Sequence, residues 1–182
     1  MEDICGNSNI PETEQQRILA LKRYNIANTA PEKALDNIAS LATMFFDLPI
    51  GLISFIDQEQ VYLKSHIGVE GITSAPRNSS ICSKAILTDN VTVLEDISRA
   101  DACFLVDPLL AGEMGFKFYA GAPLITEDGF RIGTICVLGM EPRKFSCKEE
   151  DMLKGLSRIV MDTIELRLQG MAFNEKKDPD NK

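Results

Sequence analysis

The sequence predicts an α+β fold: an antiparallel sheet of five or six strands, terminal helices packed on one face, and an irregular helix-and-loop segment over the other. Three observations carry this. Apolar runs occur as adjacent pairs with short turns between them, Ile50–Ile56 beside Val61–Ile67 and Tyr119–Ile125 beside Phe130–Leu138, and strands joined so closely pair antiparallel. Helical periodicity is concentrated towards the two ends of the chain. Between the strand pairs, the stretch from Gly68 to Gly115 keeps neither period for long, which leaves it to cover the sheet face that the helices do not.

Taken in order, Ile18, Leu19 and Leu21 give a short amphipathic helix between Pro11 and Tyr24. A second helix is expected from Thr29-Ala30-Pro31-Glu32, a T-x-x-E sequence in which the two side chains can satisfy each other's free amides. Its apolar residues Leu35, Ile38, Ala39, Ala42, Phe45 and Phe46 recur at helical spacing, and Pro49 ends it. Ile50–Ile56 is almost continuously apolar, as in a strand buried on both faces. Val61–Ile67 alternates, with Tyr62, Lys64 and His66 expected on the exposed side. A short helix near Ser80–Leu87 and a short strand at Val91–Glu95 punctuate the middle segment. Asp128-Gly129 marks the second hairpin. Ser146 and Glu149 open a long final helix from a second capping box. That helix carries two apolar stripes, Leu153, Leu156, Val160, Ile164 and Met152, Ile159, Leu166. Covering one sheet needs only one stripe.

A chain of 182 residues with 45% hydrophobic and 25% charged residues makes one ordinary globular domain, expected over 11–172. Polar ends at 1–10 and 173–182 are expected to be disordered. A net charge of −8 without a Lys/Arg cluster argues against nucleic acid or anionic lipid as partners. No apolar run reaches the roughly 18 residues of a membrane span, and residues 1–17 lack a signal-peptide pattern. The five cysteines, Cys5, Cys82, Cys103, Cys136 and Cys147, are odd in number and without a C-x-x-C pair. This favours a reducing, cytoplasmic setting over a disulfide framework or a zinc site. His66 stands as the sole histidine, so a His-rich metal site is excluded.

Several stretches together resemble one family. They are Pro31-Glu32 with Phe45, Pro49 to Asp57 (P-I-G-L-I-S-F-I-D), Pro76 to Cys82 (P-R-N-S-S-I-C), Phe118 to Leu124 (F-Y-A-G-A-P-L), Ile132 to Leu138 (I-G-T-I-C-V-L) and Pro142-Arg143. In order and spacing these resemble bacterial GAF domains of the type found in sensor histidine kinases and diguanylate cyclases, over about residues 15–170. The resemblance implies a GAF/PAS-like fold and a non-catalytic sensory module. It does not imply a ligand, because GAF relatives bind cyclic nucleotides, haem, bilins, metabolites or nothing known.

Phosphate loops, H-E-x-x-H, G-x-S-x-G and dinucleotide fingerprints are all absent from the sequence. Cyclic-nucleotide-binding relatives carry Asn-Lys before Phe-x-x-x-Asp-Glu. Phe145, Glu149 and Glu150 resemble the second half, but Gly139-Met140-Glu141 replaces the first. Bilin attachment through Cys-His and haem ligation through His66 are likewise not expected. Cys82 and Cys103 fall in the segment where GAF-type free methionine sulfoxide reductases keep their cysteines, although Asp101-Ala102-Cys103-Phe104 replaces that family's motif. Two readings of these thiols stand, a reductase and simple packing, with packing expected for Cys82 and Cys136. Arg99, Asp101 and Asp107 could orient a polar ligand or form a solvated loop.

The expected function is therefore a sensory or regulatory domain that binds an unidentified small molecule and signals through an effector protein. A thiol reductase and a ligand-free dimerisation scaffold are the alternatives. The expected pocket lies between the sheet and the middle segment, lined by Ser80, Ile81, Cys82, Asp101, Phe104, Pro108, Phe118, Tyr119, Gly121 and Cys136. No catalytic residue, metal ligand or cofactor is assigned. The heptad steps from Met152 to Ile159 to Leu166 suit a seam between two helices, so a homodimer through the first and last helices is expected.

Overall fold

A computed structural model describes residues 13–100 and 115–177. Six strands form one sheet: β1 (Ile50–Ile56), β2 (Gln60–Ile67), β3 (Ser74–Pro76), β4 (Thr92–Leu94), β5 (Phe118–Ile125) and β6 (Arg131–Gly139), in the order β3-β2-β1-β6-β5-β4. Every neighbouring pair is antiparallel. The helices are α1 (Glu14–Arg23), α2 (Lys33–Phe46), α3 (Ile81–Ala85) and α4 (Cys147–Lys177). None of the described helices is long and apolar enough to cross a membrane.

The two expected hairpins meet along β1 and β6, in register from Ile50 opposite Leu138 to Phe55 opposite Gly133. Alternation then divides the sheet. Ile53, Phe55, Ile135, Val137, Ala120, Ala122 and Leu124 share a core with Leu35, Ile38, Ala39, Ala42 and Phe46 of α2 and with Leu153, Leu156, Val160 and Ile164 of α4. Here α2 comes close enough to the sheet that a methyl group at Gly51 would overlap the Ala39 carbonyl and the Thr43 methyl. The glycine is what allows that approach. Leu52, Ile56, Tyr119, Cys136 and Leu138 face the other way and pack against Ile81, Cys82 and Ile86 in and beside α3. Helix α1 crosses the end of the sheet. It runs from the end of β1, where Arg17 donates to the Ile56 carbonyl at 2.6 Å, to the β5–β6 turn, where Arg23 pairs with Asp128 at 2.7 Å.

Four local expectations are corrected. Thr29 and Glu32 do not cap α2, which starts at Lys33 with no side-chain cap at Glu32. Both turn instead to Lys64. That residue is not on an exposed face, because a β-bulge lies opposite Ile53 and Ser54, which pair with Ser65 and Leu63 and leave Lys64 extra. The bulge puts the Lys64 ammonium in the interior, where Thr29 Oγ1, the Ala30 carbonyl at 2.6 Å and Glu32 at 3.0 Å receive it. A buried cation without such acceptors is strongly destabilising. Leu19 is 64% and Phe45 57% exposed, so neither belongs to its helix's buried stripe. Helix α2 ends before Pro49, at Asp47 in the left-handed region (φ 50°).

The capping box of α4 forms as expected. The Ser146 N–H donates to Glu149 at 2.8 Å and the Glu149 N–H to Ser146 Oγ at 3.4 Å. Backbone and hydroxyl hydrogen bonds from Ser146 hold the Glu149 carboxyl below the usual carboxylate range. This contribution to stability is present above the unfolded value of about 4.3 and is lost as pH falls through the lower folded value. Ser146→Ala is expected to lower unfolding stability by about 1 kcal/mol at pH 7. In urea titrations the deficit should shrink as the pH is taken below 4, where the wild type also loses the interaction.

Candidate functional site

The sheet face opposite α2 and α4 carries polar groups inside an apolar layer. Ser54 on β1 and Thr134 on β6 stand directly opposite one another, fully buried, with their hydroxyls 2.9 Å apart. Two residues along β6 comes Cys136, opposite Leu52 on one side and Gly121 on the other. Tyr119 on β5 is fully buried, and its ring folds back along its own strand over Gly121. A methyl group at Gly121 would overlap the Tyr119 hydroxyl and ring, so this glycine provides the floor on which the ring lies. From there the phenol reaches Cys82 Sγ at 3.9 Å.

Helix α3 forms the opposite wall. Ser80 is its N-cap and accepts the Cys82 N–H at 3.3 Å, which is the local reason that the helix starts where it does. Cys82 is buried and, like Cys136, forms no disulfide among the described residues. The Ser83 hydroxyl is fully buried with no hydrogen-bond partner among the described residues. Lys84 is buried as well, and desolvation lowers its ammonium from the ordinary lysine value.

The structure therefore brings Ser80, Ile81, Cys82, Tyr119, Gly121 and Cys136 together in one packed layer between α3 and the sheet. Phe118 is not among them. Strand alternation turns it to the helix side, where it packs against Phe145 (ring centroids 5.6 Å apart) with the Arg143 guanidinium 5.9 Å from its ring. Asp101, Cys103, Phe104, Asp107 and Pro108 lie outside the described residues. Arg99 is largely exposed and pairs with Asp96 at 3.2 Å. His66 Nδ1 lies 3.0 Å from the Val69 carbonyl, so the imidazole is tied to its own loop. Among the described residues no three His, Cys, Asp or Glu side chains come together as metal ligands. Sequence reasoning missed the Ser54–Thr134 pair and Ser83. The signal was present for the first two, since each is a lone hydroxyl in an otherwise apolar strand. A hollow of about 340 Å³ between α4 and β5, lined by Pro123, Ser157, Arg158 and Met161 among others, contains no residue selected from the sequence.

Chemically, this layer offers two thiols, a phenol, several hydroxyls and the Lys84 ammonium, and its described members include no carboxylate. These groups can give and accept a few hydrogen bonds in otherwise apolar surroundings. Gly121→Ala is expected to cost about 1–3 kcal/mol through overpacking against Tyr119. In a Tyr119→Ala background the same change should cost far less, a non-additivity readable from urea melts of the four proteins.

A family model described as GAF domain matches residues 30–164. In sequence the chain is similar to the cyclic di-GMP phosphodiesterase PA2567 of Pseudomonas aeruginosa, 34% identical over 155 residues. That match covers 85% of this chain but only 26% of the relative, so the chain spans about a quarter of its length. Two solved structures share the fold at low identity. The GAF domain of Acinetobacter phosphoenolpyruvate-protein phosphotransferase matches with a TM-score of 0.62 at 15% identity, over 86% of this chain and 95% of that one. The free methionine-R-sulfoxide reductase of Neisseria meningitidis, solved with its substrate, matches with a TM-score of 0.63 at 16% identity, over 84% and 89%.

Proposed function

The chain belongs to the GAF domain family, and from that premise we propose that it is a regulatory module that binds a small molecule between α3 and the central strands and passes its occupancy to an effector. The reading rests on one observation, the buried polar groups of that layer. A hydroxyl buried without a partner, such as that of Ser83, costs about 1–3 kcal/mol. A bound ligand or water recovers that cost, and the Tyr119 phenol, Cys82 thiol and Ser54–Thr134 pair stand in the same layer. The Pseudomonas aeruginosa relative is named as a cyclic di-GMP phosphodiesterase, which supports an output in cyclic di-GMP turnover. Native mass spectrometry of the protein purified from its own cells is expected to show an adduct of a few hundred daltons. The adduct should disappear in a folded Gly121→Val variant, in which the new side chain displaces the Tyr119 ring into the layer.

One observation favours a second reading, a scaffold without a ligand: Tyr119 and Cys136 are already fully buried. A clean protein mass with the fold intact would select the scaffold. The reductase reading has weaker support. Asp101-Ala102-Cys103-Phe104 stands where the motif of those reductases would be.

The same proposal includes a homodimer. On α4, Leu153, Leu156, Val160 and Ile164 are buried, while Ile159 is 50% and Leu166 68% exposed, so α1 does not cover the second stripe. A second copy would bury it. Sedimentation velocity should give a dimer for the wild type and a folded monomer for Ile159→Glu/Leu166→Glu. A monomeric wild type overturns this part.

A further inference from the structure

We infer that α1 is a coupling rod: Glu14 in its first turn and Tyr24 at its end link the α3 wall of the proposed site to α4 around the end of the sheet. The two helices to be linked lie on opposite faces. Between them run β1 and β6, whose side chains are buried on both sides and leave little room for a displacement to pass through. Helix α1 touches both layers.

At its start, the Glu14 carboxylate accepts hydrogen bonds from Arg17 Nε and Nη2, both at 2.8 Å, and from Arg77 Nη1. Arg77 opens the short 3₁₀ turn Arg77–Ser79 that leads into α3. It is fixed on the β1–β2 turn as well, through its N–H to the Glu59 carbonyl at 2.9 Å and its guanidinium to the Asp57 carbonyl at 3.0 Å. Arg17 is buried to 1% exposure, so this is an interior ion cluster that salt screens little. Burial alone would push the Glu14 carboxyl up, but the hydrogen bonds from Arg17 and Arg77 together hold it below the usual range. The cluster therefore stays charged, and breaking one arm leaves buried charge behind.

At the other end, the Tyr24 hydroxyl donates to Glu165 of α4, and Arg167 donates to the Tyr24 carbonyl at 2.8 Å and the Asn25 carbonyl at 3.2 Å. Arg167 also pairs at 3.1 Å with Glu32, the same carboxylate that holds Lys64. Between the two ends, Ala20 and Leu21 anchor the rod in the core beneath α2 and α4. A shift of α3 that moves Arg77 draws on Glu14, tilts this short helix and alters its grip on α4.

The inference relies on the ligand-binding reading only for what moves α3, and its test uses no ligand. Hydrogen exchange of the whole chain is followed at amides 81–86 in four proteins: wild type, Tyr24→Phe, Glu14→Gln and the double variant. Tyr24→Phe cuts the rod's far end while keeping the ring, and it is expected to speed exchange in α3 roughly 2- to 30-fold. In the Glu14→Gln background the same change should leave α3 unaltered. Ser146→Ala, which weakens α4 without touching α1, should not move α3. No effect of Tyr24→Phe on α3, or an equal effect in both backgrounds, overturns the coupling. Glu14→Asp, which keeps the charge but is too short to reach both arginines, serves as the second variant. Loss of protection across the whole sheet in both Glu14 variants would assign Glu14 a purely structural role and also overturn it. A negative result here leaves the ligand reading standing, and a clean native mass leaves this coupling standing.

Discussion

Strands β1 and β6 are hydrogen-bonded to each other at the centre of the sheet and are apolar on both faces. Neither face can be left to water, and one layer of helices can cover only one of them. That constraint places the rest of the molecule. Helices α2 and α4 take the face of Ile53, Phe55, Ile135 and Val137, and the Gly51 backbone lets α2 approach closely. The opposite face must be closed by the chain between the two hairpins. That chain supplies α3, and with it Cys82, Ser83 and Lys84. The polar groups of this face are thus a consequence of sheet coverage: α3 is short and brings Cys82, Ser83 and Lys84 with it.

Within that layer, shape and polarity are linked through one contact. Tyr119 can lie flat only because residue 121 has no side chain, and lying flat carries its hydroxyl to Cys82. The phenol joins the sheet to α3 through a weak hydrogen bond to sulfur. Ser54 and Thr134 satisfy each other across the two central strands, with their hydroxyls 2.9 Å apart.

Charge is concentrated where the layers meet at the end of the sheet. Arg17, Arg77 and Lys64 are all buried, and their partners include Glu14, Glu32, the Thr29 hydroxyl and main-chain carbonyls. Such groups cost desolvation energy and return it only when several elements hold one arrangement. In this protein they tie α1, the α1–α2 connection, the β2 bulge and α4 to one another. The apolar core fixes which elements are neighbours, and these ion clusters fix their mutual register.

Much of this was legible in the residues, for identifiable reasons. Continuous apolar runs and a period of two specify β1, β5 and β6, because backbone alternation is local and independent of the partner strand. The Ser146–Glu149 box could be read because both of its hydrogen bonds close within one turn. The T-x-x-E at Thr29 looked identical and failed. Lys64, far away in sequence, offered Glu32 and Thr29 a better partner than a helix amide, since a buried ammonium demands acceptors more strongly than an N–H open to water. The site divided along the same line. Cys82, Tyr119, Gly121 and Cys136, selected through family-like stretches, share one face, whereas Phe118 lies on the other, because adjacent strand residues point to opposite faces and only register fixes which face is which. The sequence by itself determined the α+β class, the hairpins and the capped final helix. Tertiary structure alone decided the bulge that buries Lys64, the exposure of Leu19 and Phe45, and the joining of Glu14 to Arg77, since each depends on which distant group arrives to share a desolvated space.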